Sequence, residues 1–306
     1  MGIDSLKKGS LIGPGSSAMI GLLHGIGALI GPDGGPQCCV PAGIKSLIGP
    51  GARGMGPQLL LNPEFTLRTI GAEAIPDSGF DSPAAWGAGG NWAIASSQAT
   101  HTGGASSNLT YGSDVLTIGH CYLLSVDLIT YTEDGDIEFS GRAYDGNRSF
   151  SGATGINTAY AAATGGSSPT RPTIRDKNST TGTAVIDDFS NKEVTLNNWA
   201  VVGTRGLTEF LIYDGDTDNV RIVSGGPDIG ISQDIGVTGS LYYEVIIDEV
   251  DSGAIEIATA TDGSLVTFSS PGAYSGNITT TDSTIILQSQ GACDVGADTI
   301  NLYKVL

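Results

Sequence analysis

The chain has 306 residues, of which 46 are glycine, and 15% of the residues are charged. Typical soluble domains contain about 7% glycine and about 25% charged residues. Lys and Arg number 14 against 32 Asp and Glu, which gives a formal net charge of −18. Because a nucleic-acid-binding surface uses Lys and Arg to neutralise phosphates, this charge disfavours nucleic acid as a partner. The 40% apolar content disfavours disorder of the whole chain.

The first 58 residues differ from the rest of the chain in charge and contain a repeat. They carry a net charge of +2, whereas residues 59–306 carry −20. The tetrapeptide Leu-Ile-Gly-Pro begins at residues 11, 29 and 47, so it recurs every 18 residues. Because Pro followed by Gly or Asp favours a turn, each block is expected to form a short apolar strand, a turn and a Gly-rich return.

Such a block cannot bury its own Leu and Ile side chains, so it needs a partner surface. We predict that residues 1–58 are an extended anchoring arm, either laid across repeated sites on an assembly or wound with other copies into a fibrous shaft. A disordered Gly/Pro linker is the alternative, which the Leu and Ile content disfavours. The predicted anchor residues are Leu11, Ile12, Pro14, Leu29, Ile30, Pro32, Leu47, Ile48 and Pro50.

Two features of the chain superficially indicate secretion or cross-linking. Residues 18–30 are largely apolar and follow Lys7 and Lys8, as in a signal peptide, but Gly residues interrupt them and no clean cleavage site follows. The four cysteines include the adjacent Cys38 and Cys39, and none has the spacing of a zinc site or a disulfide framework. Buried thiols are the favoured interpretation of Cys38 and Cys39, with intermolecular disulfides as the alternative.

Residues 59–306 have the pattern of an all-β protein in two copies. Short runs rich in Val, Ile, Thr, Tyr and Phe alternate with Gly, Asp, Asn and Ser clusters, and no helical period is present. The tripeptide Asn-Trp-Ala recurs at residues 91 and 198, and Gly-x-x-Tyr recurs at residues 119 and 239. We therefore predict two tandem jelly-roll β-sandwiches, at residues 59–195 and 196–306, preceded by the arm at residues 1–58.

Four features of this part of the chain together resemble jelly-roll sandwiches of the carbohydrate-binding-module type. They are an opening motif at residues 62–65 (Asn-Pro-Glu-Phe), a Trp 20 to 30 residues later, the Gly-x-x-Tyr strand and a closing motif at residues 186–189 (Ile-Asp-Asp-Phe). The resemblance covers residues 60–306 in two copies. The second copy lacks an Asn-x-x-Phe opening, so its first strand is expected to be shortened or replaced. Such sandwiches occur in glycosidases and in bacteriophage virion proteins.

The residues give no arrangement for catalysis. The three histidines are scattered, and the sequence has no nucleophile, zinc-protease or nucleotide-binding motif. We therefore predict that the chain is not an enzyme and uses no cofactor. A sugar-binding site needs an exposed aromatic ring with polar neighbours, and Trp86 and Trp92 are the candidates. Because Trp92 and Trp199 recur in both copies, a core position is favoured for these two, which leaves Trp86 as the stronger candidate.

One structural metal site is suggested by the family resemblance. Jelly rolls of this type often hold a Ca²⁺ ion between their opening and closing strands, which implies Glu64, Asp187 and Asp188 as ligands here. The Asp-x-Asp-x-Asp run at residues 214–218 begins like a calcium-binding loop but lacks its glycine and its final glutamate. A solvated acidic turn is the favoured interpretation of that run.

These observations predict a structural virion protein of a bacteriophage, anchored to the capsid or tail by residues 1–58 and displaying two sandwiches, with adhesion to a host-surface glycan as a candidate role. The expected partners are other virion proteins and copies of the same chain. A secreted or cell-surface bacterial carbohydrate-binding protein is the alternative. A membrane interaction of residues 18–30 is a third, weaker hypothesis.

Overall fold

A computed structural model describes residues 20–23, 26–30, 36–38, 55–150, 154–165, 167–214 and 218–306, with the backbone alone described for residues 20–38. It divides into two compact units, Met1–Met55 and Gly56–Leu306. In the first unit, three antiparallel strands form one sheet: β1 (Ile20–Leu23), β2 (Ile26–Ile30) and β3 (Pro36–Cys38). Leu29 and Ile30 belong to β2. The other predicted anchor residues, the adjacent Cys39 and Asp216 lie outside the described residues.

The regular structure described for the second unit consists of strands and one 3-10 turn at Pro83–Ala85. After β4 (Met55–Gln58), the chain forms β5 (Arg68–Glu73), β6 (Trp86–Ala88), β7 (Trp92–Ala95), β8 (Gln98–Thr102), β9 (Asn108–Tyr111), β10 (Cys121–Tyr131), β11 (Asp136–Phe139), β12 (Arg148–Ser149), β13 (Gly155–Ala162), β14 (Thr173–Lys177) and β15 (Thr183–Leu196). It continues through β16 (Ala200–Val202), β17 (Phe210–Asp214), β18 (Asn219–Ser224), β19 (Gly230–Asp234), β20 (Gly239–Ser252), β21 (Ile255–Thr259), β22 (Gly263–Phe268), β23 (Gly272–Thr280), β24 (Thr284–Ser289) and β25 (Cys293–Val305).

These strands build two sandwiches with the same topology. The first sandwich has sheets ordered β13-β10-β15-β8-β7 and β12-β11-β14-β9-β6. The second has sheets ordered β23-β20-β25-β18-β17 and β22-β21-β24-β19-β16. Each strand of one sandwich thus has a counterpart at the same place in the other. The predicted all-β class and the duplicated sandwich are confirmed.

The cores of the two sandwiches form from alternating strand residues, because one face of each strand is buried against the opposite sheet. The first core is rich in aromatic rings: Phe139 stacks on Phe189 at 5.8 Å between centroids, and Phe150 lies 4.9 Å from Phe139. The second core is mainly aliphatic, with fully buried Ile255, Ile257 and further Ile, Leu and Val side chains. Cys121 and Cys293 are both buried cysteines.

The two opening strands lie next to each other in sequence but belong to different sandwiches. Strand β5 pairs with β15 of the first sandwich, whereas β4 pairs with β25 of the second. Leu60 and Phe65, which follow β4, are 3% and 0% exposed within the core of the second sandwich. Residues 59–65, which the sequence predicts for the first sandwich, therefore pack on the second. The outer limits of the predicted domains are otherwise untested and stay a prediction.

A ten-residue repeat explains why the segment before the first sandwich pairs with the second sandwich. Residues 56–65 and 71–80 read GPQLLLNPEF and GAEAIPDSGF, so both contain Gly, Gln or Glu, an aliphatic residue, Asn or Asp, and Phe at matching places. The Gln58 carboxamide oxygen accepts a hydrogen bond from the Leu302 N–H at 2.8 Å, as the Glu73 carboxylate does from the Asn191 N–H at 2.8 Å. The expected replacement of the second copy's first strand is thus supplied by the segment that precedes the first copy.

The sandwiches contact each other along β17. Its Tyr213 N–H points at the Cys121 Sγ at 3.4 Å, and both side chains are buried. Arg68 on β5 forms an ion pair with Asp218, just before β18, at 3.0 Å. Leu123 on the outward face of β10 packs against the core of the second sandwich. Together with the exchanged opening strand, these contacts join the two sandwiches within one unit.

Candidate functional site

Two tyrosines lie side by side on the outward face of the second sandwich. In β20 the odd-numbered residues from Leu241 to Ile247 are buried, so Tyr242 points away from the core. Tyr242 is directly opposite Tyr303 of β25, and the two rings are 6.5 Å apart between centroids with a 41° interplanar angle. Both side chains are partly exposed. The pair therefore presents aromatic surface to solvent.

Polar side chains surround this tyrosine pair, because neighbouring strands bring their outward residues into register. Glu244 is opposite Asn301 in the next row and forms hydrogen bonds with Asn301 and Tyr303. The Asn301 carboxamide oxygen accepts a hydrogen bond from Gln58 Nε2. On the other side, β23 contributes the exposed Asn277 opposite Tyr242, and Ser275 opposite Glu244. The result is an aromatic surface bordered by amide, hydroxyl and carboxylate groups.

The partial burial of this face affects its ionisable groups. Burial raises the pKa of Glu244 above its usual value, an effect that the hydrogen bonds from Tyr303 and Asn301 oppose. Burial also raises the pKa of Tyr303, and the nearby negative charge of Glu244 raises it further. The Tyr303 hydroxyl therefore stays protonated and donates, while Glu244 accepts.

The matching face of the first sandwich has a different composition. The positions equivalent to Tyr242 and Tyr303 by strand pairing are Leu123 and Lys192, which lie opposite each other on β10 and β15. Leu123 and its other neighbour, Tyr160, pack against the core of the second sandwich. The first sandwich thus uses this place for contact between sandwiches, and the tyrosine pair is a feature of the second.

The two tryptophans that the sequence suggests for sugar binding are both buried, at 6% exposure. Trp86 packs against Phe80 and Tyr111 at 4.8 and 5.1 Å between centroids, and its indole N–H donates to Asp77 at 3.0 Å. Trp92 donates its indole N–H to a backbone carbonyl at 3.3 Å. Neither ring has the exposed face that a sugar platform requires, because each fills space between the sheets.

The core position favoured for Trp92 and Trp199 is confirmed, but their predicted correspondence is wrong. Trp199 is 7% exposed, packs on Phe65 at 5.7 Å between centroids and immediately precedes β16. The counterpart of β16 is β6, which begins at Trp86. Trp199 is therefore the equivalent of Trp86, and the Asn-Trp-Ala match pairs residues from different strands.

The sequence prediction for a sugar-binding ring names tryptophans and misses the tyrosine pair. A signal was present in the strands themselves. Tyr242 and Glu244 alternate with apolar residues, as do Asn301 and Tyr303. An aromatic ring in the polar register of an amphipathic strand indicates an aromatic side chain at the surface.

The three residues suggested as calcium ligands lie on different sandwiches. Glu64 is exposed and follows Pro63, whose carbonyl accepts a hydrogen bond from the Ile300 N–H of the second sandwich at 3.0 Å. Asp187 and Asp188 belong to β15 of the first sandwich. Among the described residues, the group of His, Cys, Asp or Glu ligand atoms that converges does not include these three. The exchange of opening strands is the reason, because it removes Glu64 from the first sandwich.

The group that does converge is buried inside the first sandwich. His101, Glu133 and Asp176 place one ligand atom each within 4.8 Å of one another. The His101 Nδ1 and Glu133 Oε1 atoms are 2.6 Å apart, and the His101 Nε2 and Asp176 Oδ2 atoms are 3.7 Å apart. Burial raises the pKa of Asp176 to about 6, with the His101 ring lowering it and the Glu133 charge raising it.

Comparisons with known proteins give distant structural similarity. No protein-family model matches the chain, and no curated protein matches it. The tandem CBM22-1-CBM22-2 domain of Xyn10C from Paenibacillus barcinonensis is similar at 12% identity and TM-score 0.28, over 78% of this chain and 98% of that one. The tandem CBM51 modules of a family 98 glycoside hydrolase from Streptococcus pneumoniae follow at 10% identity and TM-score 0.22, over 67% and 83%.

A fucolectin from striped bass serum (Morone saxatilis) is similar at 10% identity and TM-score 0.25, over 80% of this chain and 98% of that one. These TM-scores are too low to transfer a binding property to this chain. In the described part of the chain, no helix has the length and hydropathy of a membrane span.

Proposed function

We propose that the chain is a non-catalytic glycan-binding protein whose sugar-binding surface is the outward face of β20 and β25. The observation that carries this proposal is the partly exposed pair Tyr242 and Tyr303. The C–H face of a pyranose ring packs on aromatic rings, and binding sites combine such apolar surface with a few placed polar groups. Paired rings at 6.5 Å offer room for a sugar ring across both.

The surrounding polar groups match the hydroxyls of a sugar. Glu244 accepts hydrogen bonds, whereas the amides of Asn301 and Asn277 can both donate and accept. Glu244 and Asn301 already bond to neighbours, which fixes their orientation before a ligand arrives. Preorganised groups lose less conformational entropy on binding, so this arrangement favours recognition of a polyhydroxylated ligand.

The setting of this binding function has two candidates. In the first, a bacteriophage virion displays the sandwiches, with residues 1–58 anchoring several copies to the capsid or tail. In the second, a bacterium secretes the chain or holds it at the cell surface. The repeated apolar arm favours the virion, because many weakly docked copies gain avidity together. Particles that retain full occupancy of a chain lacking residues 1–58 would exclude this anchor, and mass spectrometry of the mature N-terminus would reveal cleavage in a secreted protein.

The binding proposal is tested by a glycan array with the full chain, followed by titration of each glycan that binds. The test variants are Tyr242→Ala and Tyr303→Ala, and the matched control is Tyr242→Phe, which keeps the ring. Aromatic contacts contribute about 1 kcal/mol each, so the double alanine variant should weaken binding by about tenfold or more. The phenylalanine variant should bind nearly as the wild type does.

Two outcomes would overturn the proposal. The first is no binding across an array that covers bacterial surface and capsular glycans. The second is wild-type affinity in the double alanine variant, which would move the binding site to another surface. Because both rings lie outside the core, near-wild-type thermal unfolding should accompany the loss of binding and exclude misfolding as its cause.

A further inference from the structure

The buried group of His101, Glu133 and Asp176 joins the two sheets of the first sandwich. His101 lies on β8 of one sheet, Asp176 lies on β14 of the other, and Glu133 lies in the loop after β10. His101 and Asp176 are 0% exposed, and Glu133 is 9% exposed. Three ligand-bearing side chains from separate elements thus meet at one point between the sheets.

Several buried polar atoms of this group lack a hydrogen bond of good geometry: the His101 Nε2, the Glu133 Oε2 and both carboxylate oxygens of Asp176. Asp176 has only weaker interactions with the Glu133 carboxyl and the Ser179 N–H. An unpartnered buried polar group costs about 1–3 kcal/mol, and more when it is charged. Native proteins keep such groups where a ligand, ion or water satisfies them. Their convergence indicates a shared ligand rather than several independent defects.

The charge of the group leads to the same conclusion. No Lys or Arg among the described residues pairs with Glu133 or Asp176. Burial raises the pKa of Tyr131, and the negative charges of Glu133, Asp136, Asp176 and Asp134 raise it further, so the surroundings of the group are negative. Two carboxylates out of water need a compensating positive charge, and a single imidazolium compensates only one of them.

The second sandwich shows that the fold does not require this group. His101 pairs with Ala184, and the residue at the same register in the second sandwich is Ile222, which pairs with Val295. Asp176 lies opposite Ile137, and Ser289 lies opposite Ile255, the counterpart of Ile137, so Ser289 is the equivalent of Asp176. The second sandwich therefore fills the same place with an aliphatic and a hydroxyl side chain. The ionisable group is specific to the first copy.

From this geometry we infer that His101, Glu133 and Asp176 bind a divalent transition-metal ion such as Zn²⁺. An imidazole nitrogen with two carboxylates suits Zn²⁺ and its first-row neighbours, whereas Ca²⁺ prefers six to eight oxygen ligands. A dication balances both carboxylates and uses the atoms that lack a good hydrogen bond. Because the ligands come from both sheets, the ion links the sheets and its binding energy contributes to folding.

The experiment uses the full chain, stripped with a chelator and then titrated with Zn²⁺ or Co²⁺. The wild type should bind one equivalent per chain, and Zn²⁺ should raise its midpoint of thermal unfolding. Co²⁺ should produce visible d–d absorption and quench Trp92, whose ring lies 4.9 Å from His101 between centroids. His101→Gln should weaken metal binding by about tenfold or more, since loss of even an outer partner of a metal ligand has that effect.

His120 provides the matched control. Its Nδ1 is 2.6 Å from Glu193 Oε1, as in the proposed site, but this pair is partly exposed, and among the described residues it does not belong to a converging group of three ligands. His120→Gln should leave the metal affinity unchanged. If His101→Gln fails to fold, Asp176→Ser provides a second test, because serine occupies the equivalent place in the second sandwich.

Three results would overturn the inference. The first is no Zn²⁺-dependent shift of unfolding together with no Co²⁺ absorption in the wild type. The second is wild-type metal affinity in both His101→Gln and Asp176→Ser. The third is a loss of affinity in His120→Gln equal to that in His101→Gln. The tyrosine face lies on the other sandwich, so the failure of one proposal leaves the other unaffected.

Discussion

Replacing Phe65 by alanine is expected to destabilise the second sandwich, although Phe65 precedes the whole of the first sandwich in sequence. The ring is fully buried in the core of the second sandwich, where it packs on Trp199 at 5.7 Å between centroids. Burial of about 200 Å² of aromatic side chain at about 25 cal/mol per Å² corresponds to about 5 kcal/mol. Measured Phe→Ala changes in cores cost about 3–5 kcal/mol, so we expect a loss of about 4 kcal/mol.

The matched control is Phe80→Ala. Phe80 holds the same place in the first sandwich, is also 0% exposed and has a similar backbone conformation, with φ of 56° against 52° for Phe65. Hydrogen exchange measured by mass spectrometry can assign each loss to a region. Phe65→Ala should increase exchange in β16 to β25, and Phe80→Ala should increase it in β6 to β15.

The reasoning would be refuted if Phe65→Ala increased exchange mainly in β6 to β15 and left β16 to β25 protected. That result would mean that the opening strand pairs with the adjacent sandwich, as the order of the sequence suggests. If both variants increased exchange equally across both sandwiches, the two would unfold as one cooperative unit. Denaturant unfolding should then show a single transition in the wild type as well.

Two further predictions concern charged groups. Hydrogen bonds, first from the Thr281 hydroxyl, lower the pKa of Asp262 from 3.8 to about 2. The contribution of Asp262 to stability is therefore present above pH 3.8 and is lost as the pH falls towards 2. Asp262→Asn should flatten the decrease in stability with falling pH in this range, and an unchanged decrease would contradict the assignment. Arg175→Met leaves the fully buried Glu138 without its ion-pair partner and should lower the free energy of unfolding by about 3 kcal/mol in denaturant titration. The double variant that also replaces Glu138 by Met should recover most of this loss. No recovery would show that the pair itself is stabilising.

Much of the fold follows from local patterns. The alternation in β20, where Leu241 and Val245 point inward, sets its buried face, and Gly, Asp and Asn clusters mark the turns. The duplication was also visible, since Ile137 and Ile255 hold matching places in β11 and β21. These features depend on neighbours in sequence or on a period of two, and such signals are present in a single chain.

The candidate sites depended on contacts that local patterns do not specify. Trp86 in a Gly/Ala-rich segment suggested an exposed ring, yet Phe80 and Tyr111 enclose it. Tyr242 and Tyr303 are separated by some sixty residues and meet only through strand pairing. Whether a ring on a strand is exposed or buried depends on which face of its sheet packs against another sheet. That is a property of the packed sheets.

The sequence by itself determined the all-β class, the two copies and the acidic surface, because each follows from residue type and short-range order. Only the tertiary structure decided which opening strand completes which sandwich, since the repeats at residues 56–65 and 71–80 could each pair with either closing strand. It also decided that His101, Glu133 and Asp176 meet. Long-range pairing brings together residues whose separation along the chain carries no information about their distance in space.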